Sequence, residues 1–305
     1  MKIINATYGT KDVTEIVNKY FINEKIQIFV SNEIFGDPNF GVLKKLVIKF
    51  DNGLEISEIE NNNLIYPKLV NEKLGIFYTN NNNPKTDESI KQSLKSIEIA
   101  SLNKADIITC VWNKIINNPF TEIIAQTKNP SHLNQILQIL QTLLFAKKQN
   151  ANYKYVSFLE HDCLYSENYF DYEEFESDSI CNINYIGLCE KGWQNKNQED
   201  RPLSQVTMKF EKAIDYFQMI LPNAILTNSG SLEPWWQDCK KHFSIKNLDL
   251  IKKWNNNNWS CKNPSVHINH GYHFTSHYRT FSHKTYDIDN YWGTYKQYSH
   301  LFIKK

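Results

Sequence analysis

Two patterns of hydrophobic and polar positions divide the chain, and the first of them is β-rich. Ile26–Val30 and Lys44–Phe50 carry the β-branched and aromatic residues that are typical of strands. Asp51–Gly53 has the composition of a hairpin turn, and Asp12 is a candidate cap for a short helix. The pattern therefore predicts a small β-rich domain at residues 1–66.

In the second pattern, strand-like and helix-like segments alternate after a polar stretch at residues 61–71, which is predicted to be a linker. The predicted elements are, in chain order, a strand over Leu74–Phe77, a helix over Asp87–Ile97, a strand over Ile97–Leu102, a helix over Ser131–Gln149 and a strand from Tyr155. This alternation is typical of an α/β domain with a mostly parallel sheet flanked by helices, and it predicts such a domain at residues 72–305. Beyond it, a strand with a loop is predicted for Cys181–Trp193, and a helix that ends near Pro222 for Val206–Pro222.

Candidate chemistry is concentrated at the end of the strand that starts at Tyr155. Its apolar residues are followed by Glu160, His161 and Asp162. Because side chains alternate along an extended chain, the two carboxylates are expected on one face and His161 on the other. Ligands bind outside the carboxyl ends of strands in open α/β sheets, and carboxylate oxygens suit hard divalent cations. The stretch therefore indicates a metal site, while solvated charges at an ordinary strand end would give the same pattern.

Composition narrows the class of protein only a little. Of the 305 residues, 41% are hydrophobic and 22% charged, and the net charge of +1 gives no electrostatic reason to expect a nucleic-acid or membrane partner. No apolar run is long enough to span a bilayer. The six cysteines form no C-x-x-C pair, so reduced thiols and a cytoplasmic location are expected. Cys239 and His242 have a zinc-like spacing but no second pair nearby.

Four segments in the second part of the chain together resemble one enzyme class. They are GIFYTNN (Gly75–Asn81), FLEHDCLY (Phe158–Tyr165), GSLEPWW (Gly230–Trp236) and VHINHGYHFTSH (Val266–His277). In this order they resemble the glycosyltransferases of the GT-A class, in particular bacterial and viral members in which EHD stands in place of D-x-D. The resemblance implies a GT-A-like, Rossmann-like fold. It also implies transfer of a sugar from a nucleotide-sugar donor, expected to be UDP-linked, to a hydroxyl acceptor with the help of Mn²⁺ or Mg²⁺.

A second resemblance concerns the β-rich segment. YGTKDVT (Tyr8–Thr14) followed by VSNEIFGDPNFGVLKKL (Val30–Leu46) resembles a small β module that is attached to sugar-modifying enzymes. No role for the module follows from this likeness, and a plain structural appendage is the alternative.

The glycosyltransferase resemblance also implies a set of metal ligands. Asp162 matches the D-x-D residue that touches the metal most directly, and Glu160 matches the first position, which contacts the donor ribose or acts through water. His270 matches a late histidine ligand, with His273 and His277 as further candidates.

For the donor and the acceptor, the resemblance implies other residues. Tyr78, Thr79 and Asn80 match the donor loop, and Gln135 lies near a donor-side position on the helix that precedes the metal strand. Glu233 matches the general base of inverting members, while a helix-terminal glutamate is the alternative. The adjacent Trp235 and Trp236 are candidates for stacking on a sugar or base, or for the core.

Other functions stay open at this stage. A viral glycosyltransferase that acts on a hydroxymethylated pyrimidine of DNA is compatible with the composition, but the charge does not favour a nucleic-acid acceptor. A sugar- or nucleotide-binding protein without transferase activity would also explain the departure of EHD from D-x-D, and donor hydrolysis with Mn²⁺ would separate it from an enzyme. A zinc hydrolase would need His161 on the same side as the carboxylates, which strand alternation opposes.

Overall fold

The chain forms two compact units, Met1–Val70 and Asn71–Lys305. The computed structural model describes residues 1–22, 24–128, 131–189, 192–195, 202–227, 257–268 and 291–301. Each unit is described below by itself.

The first unit is a small β structure with two sheets. Its strands are β1 (Ile3–Tyr8), β2 (Lys11–Asp12), β3 (Phe21–Ile22), β4 (Lys25–Phe29), β5 (Lys45–Phe50), β6 (Glu55–Ile59) and β7 (Asn63–Tyr66). Its helices are α1 (Thr14–Asn18) and α2 (Asn32–Phe35). The strand order is β2-β1-β5-β6 in the larger sheet and β3-β4-β7 in the smaller one. Tyr8, Phe35 and Phe50 are among the fully buried side chains that form its core.

The hairpin turn predicted for this unit is confirmed, whereas the N-cap of α1 is Val13 and not Asp12. Asp51–Gly53 joins the antiparallel strands β5 and β6, and Gly53 has a φ of +82°, which a side chain would oppose. The Asp12 carboxylate accepts a hydrogen bond of 2.8 Å from the backbone N–H of Thr14 at the start of α1. The turn and the Asp12–Thr14 hydrogen bond each depend on a few neighbouring residues, so features of this kind can be predicted from the local sequence.

The predicted linker is wrong for part of its length. Asn63–Tyr66 forms β7, which pairs antiparallel with β4. Leu64 of this strand is buried in the core of the unit. The run of asparagines suggested a loop, but the apolar residues after it form a strand that pairs with β4 and buries Leu64.

The second unit is a mixed α/β structure. Its strands are β8 (Lys73–Thr79), β9 (Asp106–Val111), β10 (Thr121–Ile124), β11 (Tyr155–Glu160), β12 (Cys163–Leu164), β13 (Ser179–Asn182), β14 (Tyr185–Cys189), β15 (Gly192–Asn195), β16 (Val206–Lys209), β17 (Asn258–Trp259) and β18 (Ser265–Ile268). Its α-helices are α3 (Asp87–Ser101), α4 (His132–Gln149) and α5 (Phe210–Thr227). Short 3₁₀ turns lie at Pro84–Thr86, Leu203–Gln205 and Tyr295–Leu301.

A seven-stranded sheet forms the centre of this unit, in the order β10-β9-β8-β11-β16-β13-β17. The pairs from β10 through β11 and the pair β13–β17 are parallel, whereas β16 runs antiparallel to both of its neighbours. The prediction of an α/β fold with a mostly parallel sheet is therefore confirmed. A second sheet, β12-β18-β14-β15, is the element that brings a late strand next to the Glu160–Asp162 turn.

Helices cover both faces of the central sheet because the strands are apolar on both sides. Ile90, Leu94 and Ile97 of α3 belong to the same core cluster as Leu159 of β11. The neighbouring Phe158 points the other way, where its ring lies 5.4 Å from that of Phe217 in α5. Strand alternation thus divides the sheet between two cores.

The start of α4 agrees with its prediction. The Ser131 hydroxyl accepts a hydrogen bond of 3.2 Å from the backbone N–H of Asn134, as expected of an N-cap. This helix leads into β11, which forms over the predicted stretch and ends at Glu160.

The predicted strand at Ile97–Leu102 is wrong. Residues up to Ser101 continue α3, and the strand that follows is β9. Ile97 and Ala100 are buried, while Ile99 and Leu102 are 55% and 66% exposed. The buried residues Ile97, Ala100 and Ser101 are spaced as on one face of a helix, and the exposed Ile99 only imitated the alternation of a strand.

The predicted helix at Val206–Pro222 is only partly right. Val206–Lys209 forms β16, and α5 then continues through Pro222 to Thr227. A proline inside a helix costs about 3 kcal/mol. Pro222 is exposed, while Phe217 and Ala224 on either side of it are buried, so packing of the helix offsets that cost.

The segment Cys181–Trp193 is more regular than the predicted strand with a loop. It includes the end of β13, all of β14 and the beginning of β15, and β14 pairs antiparallel with β15. Within the described part of the chain, no helix is long and apolar enough to cross a membrane.

Candidate active site

The carboxyl ends of β8 and β11 lie side by side and bring a tyrosine to a carboxylate. Parallel pairing places Tyr78 opposite Glu160. The Tyr78 hydroxyl donates a hydrogen bond of 2.6 Å to Glu160 Oε1, and the Gln135 amide Nε2 donates one of 3.0 Å to the Tyr78 oxygen. Gln135 comes from the first turns of α4. Three residues predicted on the donor side of the site therefore form one hydrogen-bonded chain that ends on the Glu160 carboxylate.

Two side-chain hydroxyls, those of Ser93 and Tyr165, form hydrogen bonds with the backbone at the end of β11 and in the turn after it. The Ser93 hydroxyl of α3 lies 2.9 Å from the carbonyl oxygen of His161 and 2.6 Å from that of Cys163. The backbone N–H of Glu160 donates a hydrogen bond of 2.8 Å to the hydroxyl oxygen of Tyr165. Burial raises the pKa of Tyr165 well above its usual value, so this hydroxyl stays protonated. These contacts fix the path of the chain between Glu160 and Asp162.

A histidine from a distant strand completes the cluster. β18 pairs antiparallel with β12, and His267 lies directly opposite Cys163. The backbone N–H of Ile268 donates a hydrogen bond of 2.6 Å to the carbonyl oxygen of Asp162. His267 Nε2 is consequently held 3.0 Å from Asp162 Oδ2.

Four side chains converge at this point with the chemistry of a metal site. One ligand atom each from Glu160, Asp162, Cys163 and His267 lies within 4.8 Å of the others. Asp162 and His267 are 24% and 17% exposed, whereas Cys163 is fully buried. The carboxylates of Glu160 and Asp162 and the imidazole of His267 are of the types that bind Mn²⁺ and related divalent cations, so these three residues fit the expected metal.

The remaining residues of the predicted donor loop lie beside this cluster. Thr79 is buried, and its hydroxyl lies 3.3 Å from His161 Nδ1. The Gln138 amide of α4 donates to the carbonyl oxygen of Thr79 at 3.1 Å and to that of Cys110 at 3.2 Å. Asn80 follows directly after β8 and is partly exposed. The loop is therefore anchored by α4 while Asn80 faces outward enough to meet a ligand.

Asn81, which the sequence did not single out, joins the loops after β8 and β9. Its side-chain oxygen accepts hydrogen bonds from the backbone N–H groups of Trp112 at 2.9 Å and Asn113 at 3.0 Å. Its amide nitrogen donates to the carbonyl oxygen of Asn113 at 2.6 Å. An asparagine in a polar run gave no sign of this role, because the partner loop lies about thirty residues away in the sequence.

His267 is the other residue that sequence reasoning passed over, in favour of His270. The signal was present in the alternating run that starts at Val266, where His267 occupies the polar position of a short strand. Several predicted residues fall outside the described residues: Glu233, Trp235, Trp236, His270, His273 and His277.

Comparisons with known proteins give a loose structural likeness. No protein-family model and no curated protein matches the chain. Among solved structures, residues 1–349 of TarS from S. aureus match at 10% identity with a TM-score of 0.36, over 64% of this chain and 60% of that one. The chain thus spans less than two thirds of that TarS fragment.

Two further solved structures show the same degree of likeness. A glycosyltransferase involved in glycosylation of the major capsid of PBCV-1 matches at 6% identity and a TM-score of 0.36, over 64% of this chain and 91% of that one. A mutant Drosophila β-1,4-galactosyltransferase 7, in complex with manganese, UDP-Gal and xylobiose, matches at 11% identity and a TM-score of 0.33, over 71% and 82%. Overlaps as loose as these assign no activity, which has to come from the residues of the site.

Proposed function

We propose that the second unit is a metal-dependent glycosyltransferase that moves a sugar from a nucleotide-sugar donor to a hydroxyl acceptor. The observation that carries this proposal is the convergence of Glu160, Asp162 and His267 at the carboxyl ends of parallel strands. That edge is where α/β sheets bind their ligands. Two of the four GT-A-like segments, Phe158–Tyr165 and Val266–His277, contribute these residues.

Asp162 and His267 are the residues expected to hold the metal. A sugar nucleotide leaves a diphosphate behind, and a divalent cation supplies the positive charge that stabilises its oxygens. The hydrogen bond from Tyr78 fixes the carboxylate of Glu160, which then serves as a further ligand or contacts the donor ribose. His270 remains a candidate ligand, with His273 and His277 behind it.

The donor nucleotide, expected to be UDP-linked, is placed against the Tyr78–Asn80 loop. Thr79 is held by α4 and His161, and Asn80 follows it at the surface. We expect Tyr78 and Gln135 to act on the donor through Glu160 rather than by touching it, because the Tyr78 hydroxyl donates to that carboxylate and accepts a hydrogen bond from the Gln135 amide.

For the transfer itself we propose direct displacement with inversion, with Glu233 as the general base. Its support is its position in the sequence, after the glycine-containing segment Asn228–Gly230 and before Trp235 and Trp236, which are candidates to hold an acceptor. Glu233→Gln keeps the shape of the side chain and removes its basicity, so turnover should fall by about 10²–10⁴ while donor affinity stays nearly unchanged. Near-parental turnover, or a product that retains the anomeric configuration of the donor, would contradict this mechanism.

The test of the function is metal-dependent donor binding. A panel of nucleotide sugars with and without Mn²⁺ should contain a donor that raises the melting temperature only when the metal is present, because ligands stabilise the state that they bind. That donor should then be hydrolysed slowly or transferred to a supplied acceptor. Asp162→Ala should abolish both effects, whereas Asp215→Ala, which removes an exposed carboxylate from α5, should leave them intact.

Three outcomes would contradict the proposal in different ways. Parental donor binding by Asp162→Ala would place the site elsewhere. Metal-dependent binding without hydrolysis or transfer to any acceptor would indicate a binding protein. Salt-dependent affinity for duplex DNA, together with transfer to a hydroxymethylated base, would favour the nucleic-acid acceptor instead.

The proposal also assigns the activity to the second unit alone. A truncated protein that starts at Val70 should stay folded and keep donor hydrolysis, and the role of residues 1–66 can then be measured by difference. Starting at Glu72 would also remove Asn71, which donates two hydrogen bonds to Asp106, at 3.0 and 2.8 Å, so that shorter protein should be less stable than the Val70 truncation. An insoluble Val70 truncation would show that the first unit completes the second.

A further inference from the structure

Cys163 belongs to the cluster of possible metal ligands, but a glycosyl transfer that uses Mn²⁺ does not require its thiol. Its Sγ lies 3.7 Å from Asp162 Oδ1 and within 4.8 Å of the ligand atoms of Glu160 and His267. The side chain is fully buried, among the apolar residues between α3 and the sheet. A hard cation with oxygen ligands gains little from a thiol.

The position of Cys163 follows from the pairing of β12 with β18. Cys163 and His267 are directly opposite each other in this antiparallel pair, so their side chains project from the same face. Asp162 is tied to β18 by its backbone, and the end of β11 brings Glu160 to the same point. The donors therefore come from three strands, with Glu160 in β11, Cys163 in β12 and His267 in β18, and from the turn between β11 and β12, which holds Asp162.

With the Cys163 thiolate included, this donor set suits Zn²⁺ better than Mn²⁺. Thiolate ligands select Zn²⁺, and at a site of given N, O and S ligands Zn²⁺ binds more tightly than Mn²⁺. Zn²⁺ takes four protein ligands in a tetrahedral arrangement when a site is closed. We propose that Glu160, Asp162, Cys163 and His267 bind Zn²⁺ with the Cys163 thiolate as a ligand.

Binding of this kind has a defined proton balance. The S–H bond of Cys163 breaks, a bond between sulfur and Zn²⁺ forms, and the proton leaves to the buffer. The metal enters from the side of Asp162 and His267, the partly exposed members of the cluster. Proton release should therefore accompany zinc binding, and be smaller by about one proton in Cys163→Ser.

Zinc in this site has a consequence that rests on the proposed function. Four protein ligands leave no coordination position for a diphosphate, while Mn²⁺ keeps such positions open. Zn²⁺ is therefore expected to displace Mn²⁺ and to prevent metal-dependent donor binding. Because of the thiol, donor binding should occur with Mn²⁺ in the site and should be prevented when Zn²⁺ occupies it.

Co²⁺ replaces Zn²⁺ as a spectroscopic probe in the experiment. The full-length protein, stripped of metal with a chelator, is titrated with Co²⁺. The parent should develop the near-ultraviolet charge-transfer band of a thiolate bound to Co²⁺, and added Zn²⁺ should bleach it. Cys163→Ser should lack the band.

Two control variants locate the thiolate. Cys110→Ser alters another buried cysteine, in β9, and should keep the band. Cys239→Ser tests the cysteine with zinc-like spacing to His242 and should keep it as well. Loss of the band in Cys239→Ser together with its retention in Cys163→Ser would overturn the inference.

A measurement on the parent alone covers the case in which Cys163→Ser does not fold. X-ray absorption at the zinc edge of the protein loaded with one equivalent of Zn²⁺ should show one sulfur ligand at about 2.3 Å. A first shell made only of oxygen and nitrogen would overturn the inference.

The failure of this inference is distinguishable from that of the proposed function. Mn²⁺-dependent donor binding by the parent, without any thiolate band or zinc–sulfur distance, would overturn the zinc site and support the function. A zinc–sulfur distance that depends on Cys163, without Mn²⁺-dependent donor binding, would support the zinc site and contradict the function.

Discussion

Two hydrogen-bonded pairs of a tyrosine and a carboxylate lie at opposite ends of the parallel strands, and they differ in burial and in neighbouring groups. At the carboxyl ends, the Tyr78 hydroxyl donates to Glu160 at 2.6 Å. At the amino ends, the Tyr153 hydroxyl donates to Asp106 at 3.0 Å. The chemistry of the two contacts is the same, so the difference between them comes from their surroundings.

The Asp106 pair is closed. Asp106 is 9% exposed, and its carboxylate also accepts hydrogen bonds from the backbone N–H and the side-chain amide of Asn71. The pair joins the start of β8, the start of β9 and the segment before β11. Its role is to hold the second unit together.

The Glu160 pair is open. Its carboxylate lies within 4.8 Å of the ligand atoms of Asp162 and His267, which are partly exposed. We infer from the comparison that a hydrogen bond between a tyrosine and a carboxylate marks a candidate functional site only when further ligand atoms converge on it at the carboxyl edge of the sheet. Four predictions test this contrast, in order of decreasing expected effect.

Asp106→Ala should be the most destabilising of these changes. It removes the acceptor of three hydrogen-bond donors in a buried place, so the free energy of unfolding should fall by about 3 kcal/mol. Urea denaturation measures this fall. Glu160→Ala is the matched variant at the open end, and it should instead reduce Mn²⁺ affinity with a much smaller change in stability. Equal losses of stability in the two variants would contradict the proposed difference between a stabilising pair at Asp106 and a metal-binding pair at Glu160.

Tyr153→Phe should lower the free energy of unfolding by about 1–2 kcal/mol, since one hydrogen bond to a buried carboxylate is lost while the ring is kept. Mn²⁺ affinity should not change. A thermal scan and a Mn²⁺ titration of the same preparation measure both quantities. A weakened Mn²⁺ affinity would mean that the two ends of the sheet are coupled.

Tyr78→Phe should lower Mn²⁺ affinity about tenfold, the lower end of the range for loss of a partner that orients a metal ligand. The hydroxyl that fixes Glu160 is removed, but no ligand atom is lost. Electron paramagnetic resonance of free Mn²⁺ measures the affinity, and the melting temperature serves as the control. If the affinity stays parental, the hydrogen bond from Tyr78 does not orient the metal site.

The smallest effect concerns alkaline pH. Burial, reinforced by the charge of Asp106, raises the pKa of Tyr153 well above its usual value of about 10. The stability linked to this raised pKa is present below pH ~10 and is lost as the pH rises, because only the unfolded chain then ionises the tyrosine. For this group the loss is about 1.4 kcal/mol at pH 11. The stability difference between the parent and Tyr153→Phe should therefore shrink between pH 9 and 11 in denaturation experiments, and a constant difference would contradict this account.

The elements that the sequence predicted well are those that neighbouring residues decide. The spacing of apolar residues and the Ser131 cap gave α4, and the apolar run before Glu160 gave β11. The strand assigned to Ile97–Leu102 was wrong because local periodicity in a short aliphatic run does not separate a helix from a strand. β16 was missed because its residues form a strand only through pairing with β11 and β13.

The sequence by itself determined the α/β class of the second unit and the placement of Glu160 and Asp162 at the end of a strand. Both follow from hydrophobic periodicity, which each segment carries on its own. Only the tertiary structure decided which groups meet these carboxylates. Tyr78 lies 82 residues from Glu160 along the chain, and His267 lies 105 residues from Asp162. Contacts at such separations depend on strand order and register, which arise from the packing of the whole unit and are written in no single stretch of sequence.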